Sequence, residues 1–285
     1  MTLYVSDLDG TLLDPRAELS APTRAGLTRL LDEGLTFTVA SARHVSSIAR
    51  ILGGLPLRLP VISSNGAYIS DMGSCRHELV NAMEPALAQA IFALMRRHGF
   101  MPFVSTHGPK GDQLFWQSVH NEAQQAFVDQ RLRNGDPRLR HTADLGAELR
   151  DPVVTMILVE REGPMRALMA EIQALCGAEI EIHLAEDLYL PGWPWLTLHD
   201  RRATKDQAIR TLAQRYGLAE REIVVFGDQV NDIGMFRAAH RGIAMGNAID
   251  EIKSAAHAVI GPHHEDSVLR FLQADWQPAR STAPV

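Results

Sequence analysis

Two aspartates, Asp7 and Asp9, stand one residue apart in the segment "VSDLDGT", directly after a short apolar run. A second acidic pair, Asp228 and Asp232, follows the apolar segment "EIVVFG". Carboxylates crowded into a partly buried place repel one another unless a cation neutralises them. Oxygen ligands without Cys or clustered His suit Mg²⁺. These aspartates therefore predict a magnesium site, provided that the fold brings them together.

A hydroxyl, an amine and a guanidinium accompany the aspartates. Ser41 and then Arg43 follow the apolar segment "LTFTVA", and Lys205 lies in "DRRATKDQAI", where the pattern predicts that a helix begins. The helix macrodipole disfavours a cation in the first turn by about 0.3–1 kcal/mol, and a bound anion would resolve that conflict. Lys205 is thus a candidate anion ligand. We expect a neutral residue at position 205 to leave the stability equal or slightly higher.

Each of these segments also has a purely structural interpretation. "DLDGT" is compatible with a turn in which Gly10 takes a backbone conformation that other residues avoid. Ser41 could cap the helix that follows it, and Asn231 or Asp232 could cap the helix after "GDQVND". Lys205 could simply point into water. The coincidence of the four segments favours chemistry more than any one of them does.

The elements that must position these residues follow an alternating pattern. Short apolar runs, "LYVS", "LTFTVA" and "PVISSNGAYI", each start a strand-then-helix repeat, and the same pattern returns from about Ala203. Alternating strands and helices predict a parallel sheet covered on both faces. Ligands of such sheets bind at the carboxyl ends of the strands. This topology would place Asp7, Ser41 and Asp228 on one rim.

The pattern changes past Met83, where longer helices alternate with paired strands. We therefore predict two domains, a core made of residues 1–82 and 199–285 and an inserted α/β module made of residues 83–198. The last segment, "QPARSTAPV", reads as a frayed tail.

Composition excludes several classes of function. The chain has 285 residues and a formal net charge of -6, and no basic run suggests a nucleic-acid groove. Cys75 and Cys176 are too few and too far apart for a zinc ribbon or a disulfide scaffold. No signal core and no apolar run of about 20 residues is present, so neither secretion nor a membrane partner is expected. These features predict a cytoplasmic protein and leave its oligomeric state open.

In order along the chain, "DLDGT", "VASAR", "ATK" and "GDQVND" resemble the four motifs of the haloacid dehalogenase superfamily. The long insert, together with "SSNGA" after the third strand, is similar to the Cof-type phosphatases with a large α/β cap. The second motif has Ser41 and Ala42 where the family more often has Thr and Gly. Serine keeps the hydroxyl, so this departure does not put activity in serious doubt.

The resemblance implies a Rossmann-like parallel-sheet core with an inserted α/β cap, and it implies a mechanism. Asp7 would attack a phosphate monoester and form an aspartyl-phosphate, while Asp9 would act as general acid and then general base. Mg²⁺ would be held by Asp7, Asp228 and the backbone carbonyl of Asp9, with Asp232 as a ligand or a neighbour. The cap would close over the substrate and select the leaving group. The implied substrate-binding residues are Ser41, Ala42, Arg43, Asn65, Gly66, Lys205 and Asn231.

The sequence thus predicts a Mg²⁺-dependent phosphatase of a small phosphorylated metabolite, with a sugar phosphate favoured by analogy alone. A phosphomutase of the same fold and a catalytically silent phosphometabolite-binding protein are the alternatives. Neither G-x-G-x-x-G after the first strand nor a P-loop occurs, which excludes a dinucleotide oxidoreductase and a P-loop kinase. The identity of the substrate and the cap residues that select it stay open.

Overall fold

A computed structural model describes residues 2–185 and 192–278. Contacts divide the chain into two units, one with the bounds Met1–Leu79 and Ala203–Val285 and the other with the bounds Val80–Arg202. The first unit is therefore built from both ends of the chain. From residue 279 onward, the predicted tail lies outside the described residues.

The centre of the first unit is a five-stranded parallel sheet with the order β14-β13-β12-β1-β2. β1 pairs with β12 on one side, where Thr2 lies opposite Glu222, and with β2 on the other, where Leu3 lies opposite Thr36. Helices cover both faces of such a sheet, and the neighbouring residues Leu3 and Tyr4 of β1, which point to opposite faces, are both buried. The strands are β1 (Thr2–Ser6), β2 (Thr36–Val39), β12 (Glu222–Gly227), β13 (Arg241–Ala244) and β14 (Ala258–Val259).

Two helices of the first unit illustrate how a side chain caps the start of a helix. Ser20 precedes the first helix, its hydroxyl accepts a hydrogen bond from the Thr23 backbone amide, and Pro22 lies in the first turn. Thr204 caps the helix that starts at Lys205 in the same way, through the amide of Gln207. The helices are α1 (Ala21–Asp32), α2 (Val45–Leu52), α7 (Lys205–Arg215), α8 (Ile233–Ala238), α9 (Asp250–Ala255) and α10 (Ser267–Asp275).

The third predicted strand-then-helix repeat is wrong. After β3 (Val61–Ser63) the chain reverses at Ser64–Gly66 and returns as an antiparallel strand, β4 (Tyr68–Ser70), which pairs in turn with β5 (His77–Val80). An Asn-Gly pair between two short apolar runs is a hairpin signal, and here it outweighs the alternation seen earlier in the chain. One parallel bridge, between Ala40 and Ile62, joins β3 to the end of β2.

The second unit contains a six-stranded sheet with the order β10-β11-β9-β6-β7-β8, antiparallel except for the pair β7 and β8. Its strands are β6 (Phe103–Gly108), β7 (Gly111–Trp116), β8 (Leu139–His141), β9 (Val153–Val159), β10 (Ile180–Ala185) and β11 (Trp195–Asp200). Its helices are α3 (Pro85–Arg97), α4 (Glu122–Arg133), α5 (Leu145–Glu148) and α6 (Glu162–Cys176).

Each unit buries an apolar core of its own. Phe37 and Phe226 belong to the core of the first unit, whereas Ile91, Met156 and Leu198 belong to that of the second. A separate core is what an independently folding domain requires. Across the described residues, no helix combines the length and apolar character needed to cross a membrane.

Candidate active site

The candidate site lies where three parallel strands of the first unit end. Asp7 comes directly after β1 and Asp228 directly after β12, while Ser41 follows the end of β2. The Asp7 amide donates to the carbonyl of Phe226 at 2.9 Å, and the Ala40 amide donates to that of Ser6 at 2.9 Å. Hydrogen bonds between neighbouring strands thus continue to the rim of the sheet. The shared direction of the strands brings the polar residues that follow them to one edge.

Three carboxylates meet at this edge. Asp7, Asp228 and Asp232 are all buried, and one oxygen from each lies within 4.8 Å of the others. The loop after β1 can lie this close to Asp228 because residue 10 is a glycine, since a Cβ at this position would be only 2.3 Å from Asp228 Oδ2. The φ angle of Gly10 is +71°, which also favours glycine. The carboxylate of Asp9 does not belong to this cluster.

Lys205 is buried and pairs with two of the three carboxylates. Its Nζ donates to Asp7 Oδ1 at 2.7 Å and to Asp232 Oδ1 at 2.7 Å. Burial disfavours the ammonium ion, but the carboxylates of Asp232 and Asp7 outweigh it and raise the pKa of Lys205 above its usual value. The cation in the first turn of α7 is therefore offset by protein carboxylates. We therefore expect a neutral residue at position 205 to lower the stability, whereas the sequence alone predicts that it stays equal or rises slightly.

Asp232 serves both as a partner of Lys205 and as a local cap. Its Oδ2 accepts hydrogen bonds from the backbone amides of Asp228 at 2.9 Å and Gln229 at 3.0 Å. Asp232 thereby closes a capping box around the single turn Val230–Asp232, but its side chain does not cap α8, so the predicted capping of the next helix is wrong. Both oxygens of Asp232 are engaged. Among the residues that the structure describes, Oδ2 of Asp7 and Oδ2 of Asp228 make no hydrogen bond, so both atoms are available for a ligand or substrate.

Burial makes this cluster unfavourable without a cation. Burial raises the pKa of Asp7 well above its usual value, against the opposing effect of Lys205, and the nearby Asp232 and Asp228 raise it further. Burial and then the charge of Asp232 raise the pKa of Asp228 to about 6, although Thr11 opposes this by donating to Asp228 Oδ1 at 2.9 Å. A hard divalent cation such as Mg²⁺ would favour the ionised form of these carboxylates and offset the repulsion between them.

Arg43 holds the second aspartate of the first motif. Its Nε and Nη2 donate to the two carboxylate oxygens of Asp9, at 2.7 Å and 2.6 Å. Bidentate pairs of this kind fix the orientation of a carboxylate as well as its position. The side chain of Asp9 is 40% exposed, unlike those of the buried cluster. The two aspartates that are neighbours in sequence therefore have different surroundings.

Ser41 does not cap the next helix. His44 does so, because its Nδ1 accepts a hydrogen bond from the Ser46 amide at 3.2 Å, and α2 begins at Val45. The Ser41 side chain is buried, and its Oγ accepts a hydrogen bond from the Arg43 amide at 3.1 Å. Ala42 is exposed. The interpretation of Ser41 as a helix cap is therefore wrong.

Asn65, Gly66 and Asn231 contact other parts of the same rim. Asn231 Nδ2 donates to Asn65 Oδ1 at 3.1 Å, and the Asn65 amide donates to the carbonyl of Ser41 at 3.0 Å. Gly66 lies against the backbone of Thr204, where a Cβ would be only 2.3 Å from the carbonyl oxygen. The sequence predicts that these residues bind substrate. The structure places Asn65 in contact with the loop that carries Ser41, Gly66 in contact with the residue before Lys205, and Asn231 in contact with Asn65.

Sequence reasoning missed two residues that hold the loop after β1. Asn247 Nδ2 donates to the carbonyl of Gly10 at 2.8 Å, and Asn247 Oδ1 accepts from the amide of His263 at 2.9 Å. The ring Nδ1 of His263 lies 2.6 Å from the carbonyl of Leu13. Asn247 follows β13, so the rule that polar residues after strands form the site could have found it. His263 had no such signal, since "GPHHED" reads as a polar turn.

Comparison with known families decides the assignment. The model of the haloacid dehalogenase-like hydrolases matches residues 4–272 of this chain. The chain belongs to the haloacid dehalogenase-like hydrolase family. This membership confirms the resemblance that the four motifs indicated, together with the predicted α/β fold.

Curated relatives of this hydrolase are phosphatases. A pyridoxal phosphate phosphatase of Escherichia coli is 28% identical over an alignment of 282 residues, and the match covers 93% of this chain and 95% of the relative. A 5-amino-6-(5-phospho-D-ribitylamino)uracil phosphatase of Bacillus subtilis is 25% identical over an alignment of 285 residues, and the match covers 95% of this chain and 96% of the relative. These relatives agree with the prediction of a phosphoric monoester hydrolase.

Solved structures share the fold of this hydrolase. A haloacid dehalogenase-like hydrolase from Bacteroides thetaiotaomicron superposes with a TM-score of 0.78 at 21% identity, and the match covers 96% of this chain and 99% of the other. At this identity the similarity establishes the architecture alone.

Proposed function

We propose that this protein is a Mg²⁺-dependent phosphatase that hydrolyses a small phosphorylated metabolite through an aspartyl-phosphate on Asp7. The observation that carries the proposal is the state of the Asp7 carboxylate. Lys205 holds Oδ1 at 2.7 Å, while Oδ2 has no hydrogen bond to the described residues. One oxygen is thus oriented by a buried cation and the other is available for attack on phosphorus.

The remaining residues of the site have roles that follow from their contacts. The Ser41 oxygen already accepts a hydrogen bond from the Arg43 amide, so its own proton can be donated to a phosphoryl oxygen. Lys205 lies beside Asp7, where its charge would stabilise the charge that develops on the transferred group. Asp9, oriented by Arg43, would protonate the leaving oxygen and later take a proton from the attacking water.

The residues present fit a magnesium ion. Oδ2 of Asp228 would hold it together with the Asp7 carboxylate, which would use the oxygen that does not attack phosphorus, and with the backbone carbonyl of Asp9 as the resemblance implies. When bound, Mg²⁺ would offset the repulsion between the anionic nucleophile and the anionic phosphate. Because both oxygens of Asp232 are engaged, Asp232 would orient Lys205 and the "GDQVND" loop rather than bind the ion.

A small phosphate monoester is the substrate class that the relatives support. The named substrate of the Escherichia coli relative is pyridoxal phosphate, and that of the Bacillus subtilis relative is a phosphoribityl-aminouracil. Both compounds carry a phosphate ester on a small molecule with a heterocyclic ring. These compounds and a set of sugar phosphates form the first panel for the identification of the substrate.

Hydrolysis of an aryl phosphate tests the proposal. We expect p-nitrophenyl phosphate to be hydrolysed in the presence of MgCl₂, the rate to vanish in excess EDTA, and the rate to return when excess Mg²⁺ is added. Released phosphate and nitrophenolate should appear in equal amounts. Full activity in excess EDTA would contradict the proposed role of the cation, and transfer of the phosphate to an added sugar phosphate would favour a phosphomutase.

The raised pKa of Asp228 predicts a pH dependence of stabilisation by Mg²⁺. A folded-state pKa of about 6 lies above the value in the unfolded chain, so the stability due to protonated Asp228 is present at low pH and is lost as the pH rises through about 6. Mg²⁺ binds the ionised form. The increase in melting temperature caused by Mg²⁺ should therefore be large near pH 7.5 and small near pH 5.

Thermal unfolding with and without MgCl₂ at the two pH values measures this effect, with Asp228→Asn as the control variant that should show little increase at either pH. An increase of the same size at both pH values would contradict the assignment of Asp228 as a ligand.

We propose further that residues 83–198 form a cap domain that selects the substrate. The unit Val80–Arg202 has its own sheet and its own apolar core. We therefore expect the other unit to keep its core and to fold when this unit is removed. Joining residue 79 to residue 203 should leave a protein that is stabilised by Mg²⁺ but has lost the parent's preference among phosphorylated compounds. Relative kcat/KM over the phosphate panel is the measurement, and an unchanged order of preference would contradict the assignment.

A further inference from the structure

The turn between β3 and β4 has an unusual backbone. Three consecutive residues, Ser64, Asn65 and Gly66, have positive φ angles of 50°, 56° and 98°. Residues with a Cβ enter the left-handed region rarely and usually singly. Such a conformation persists only where the surrounding contacts impose it, and it is often found at functional sites. The contacts that impose this left-handed turn, defined as Ser64–Gly66, therefore indicate what it does.

The first set of contacts is to the loop that carries the second motif. The Ser64 amide donates to the carbonyl of Arg43 at 2.9 Å, and the Asn65 amide donates to the carbonyl of Ser41 at 3.0 Å. Both bonds are between backbone groups, so they fix the path of the loop rather than any one side chain. The position of the Ser41 hydroxyl is thereby tied to the left-handed turn.

The second set of contacts is to the amino end of α7. A Cβ at Gly66 would lie 2.3 Å from the carbonyl oxygen of Thr204 and 2.9 Å from its nitrogen. Thr204 is the capping residue of α7, and Lys205 is the first residue of that helix. The backbone of the turn therefore packs directly against the element that positions the buried ammonium ion.

The third contact is to the fourth motif. Asn65 Oδ1 accepts a hydrogen bond from Asn231 Nδ2 at 3.1 Å. Asparagine is one of the few residues that tolerate the left-handed region, so Asn65 satisfies the backbone and supplies the acceptor at the same time. One short turn thus contacts the loops of three motifs.

We infer that the left-handed turn sets the separation between the Ser41 hydroxyl and the Lys205 ammonium, so that Asn65 and Gly66 are positioning residues for the phosphoryl group and not substrate ligands. The inference rests on the proposed phosphatase function. Two donors that are held at a fixed separation need no rearrangement when charge develops on the phosphoryl oxygens. A displacement of about 1 Å in such a pair can lower the rate by roughly 10²-fold.

Gly66→Ala tests the contact with Thr204, and Gly34→Ala is its matched control. Gly34 has a similar φ of +103°, but a Cβ there would meet nothing within 4 Å, so the control measures the backbone effect alone. For Gly66→Ala we expect kcat to fall by roughly 10²-fold with KM changed much less, and the inhibition constant for orthovanadate to rise in parallel. Gly34→Ala should retain the kcat of the parent. Equal kcat values in the two variants would overturn the inference.

Asn65→Gly tests the turn without a clash, which keeps the inference testable if Gly66→Ala does not fold. Glycine retains the left-handed backbone and removes only the acceptor for Asn231. We expect Asn65→Gly to lower kcat by at least about tenfold in the parent and to have no further effect in an Asn231→Ala background. The same factor in both backgrounds would show that Asn65 does not act through Asn231 and would overturn this part of the inference.

The parent enzyme separates the two levels of the proposal. A parent that neither hydrolyses aryl phosphate nor binds orthovanadate in the presence of Mg²⁺ would overturn the proposed function and the inference with it. An active parent whose Gly66→Ala and Asn65→Gly variants match it in kcat and in orthovanadate inhibition would overturn the inference alone.

Discussion

Replacement of Asp7 by Asn should abolish phosphate release while leaving the fold intact. Asparagine keeps the shape of the side chain but cannot act as the nucleophile, and the loss of a nucleophile typically lowers kcat by about 10⁴-fold or more. The melting temperature of the metal-free variant should equal or exceed that of the parent, because burial makes the ionised Asp7 carboxylate unfavourable. Lys205 remains paired with Asp232 in the variant. Stabilisation by Mg²⁺ should be strongly reduced.

Initial rates and thermal unfolding, each with and without MgCl₂, measure these effects together. Asp32→Asn is a suitable control, since Asp32 is an exposed aspartate at the end of α1. The control should match the parent in rate and in its response to Mg²⁺. An Asp7→Asn variant that retains a tenth or so of the parent's kcat would exclude Asp7 as the nucleophile.

Replacement of Lys205 by Met should reduce both activity and stability. Removal of the ammonium leaves the buried carboxylates of Asp7 and Asp232 without their shared partner. Breaking a buried ion pair from one side typically costs about 3–5 kcal/mol. Loss of the charge beside the transferred group should also lower kcat by roughly 10²–10³-fold. The decrease in melting temperature should be smaller with saturating Mg²⁺, since the ion would compensate part of the unpaired negative charge.

Lys253→Met is the matched control, because Lys253 belongs to the same unit and lies outside the site. Its rate and melting temperature should stay close to those of the parent. A Lys205→Met variant that is as stable as the parent without metal would show that the pairs with Asp7 and Asp232 contribute nothing to folding. Full activity in that variant would exclude Lys205 from the mechanism.

The meeting of three of the four motifs at one rim could be predicted from the sequence. Asp7, Ser41 and Asp228 each follow an apolar run, and the parallel direction of the strands was enough to place them together. The nature of their contacts could not be predicted in this way. The sequence offered Lys205 as a cation at a helix start, but only the tertiary structure supplies Asp7 and Asp232 as its partners.

Local signals are misleading where tertiary contacts decide the conformation. Ser41 has the residue type of a helix cap, yet the helix begins later and His44 caps it. The segment "PVISSNGAYI" continued an established alternation, yet Asn65 and Gly66 turn the chain back into a hairpin. The contacts of this turn reach residues as distant in sequence as Thr204 and Asn231, so no local pattern could reveal them.

The first unit is assembled from both ends of the chain, and this has a consequence for the order of folding during synthesis. β1 lies between β2 and β12, and its pairing with β12 joins Thr2 to Glu222. The unit Val80–Arg202 is contiguous and leaves the ribosome before β12 does. At typical rates of translation, the roughly 140 residues between β5 and β12 take about 7–30 s to synthesise. The edge of β1 that pairs with β12 stays without its partner strand for that time. We therefore expect the unit Val80–Arg202 to fold first during synthesis, the reverse of the usual order in which the amino-terminal domain folds first.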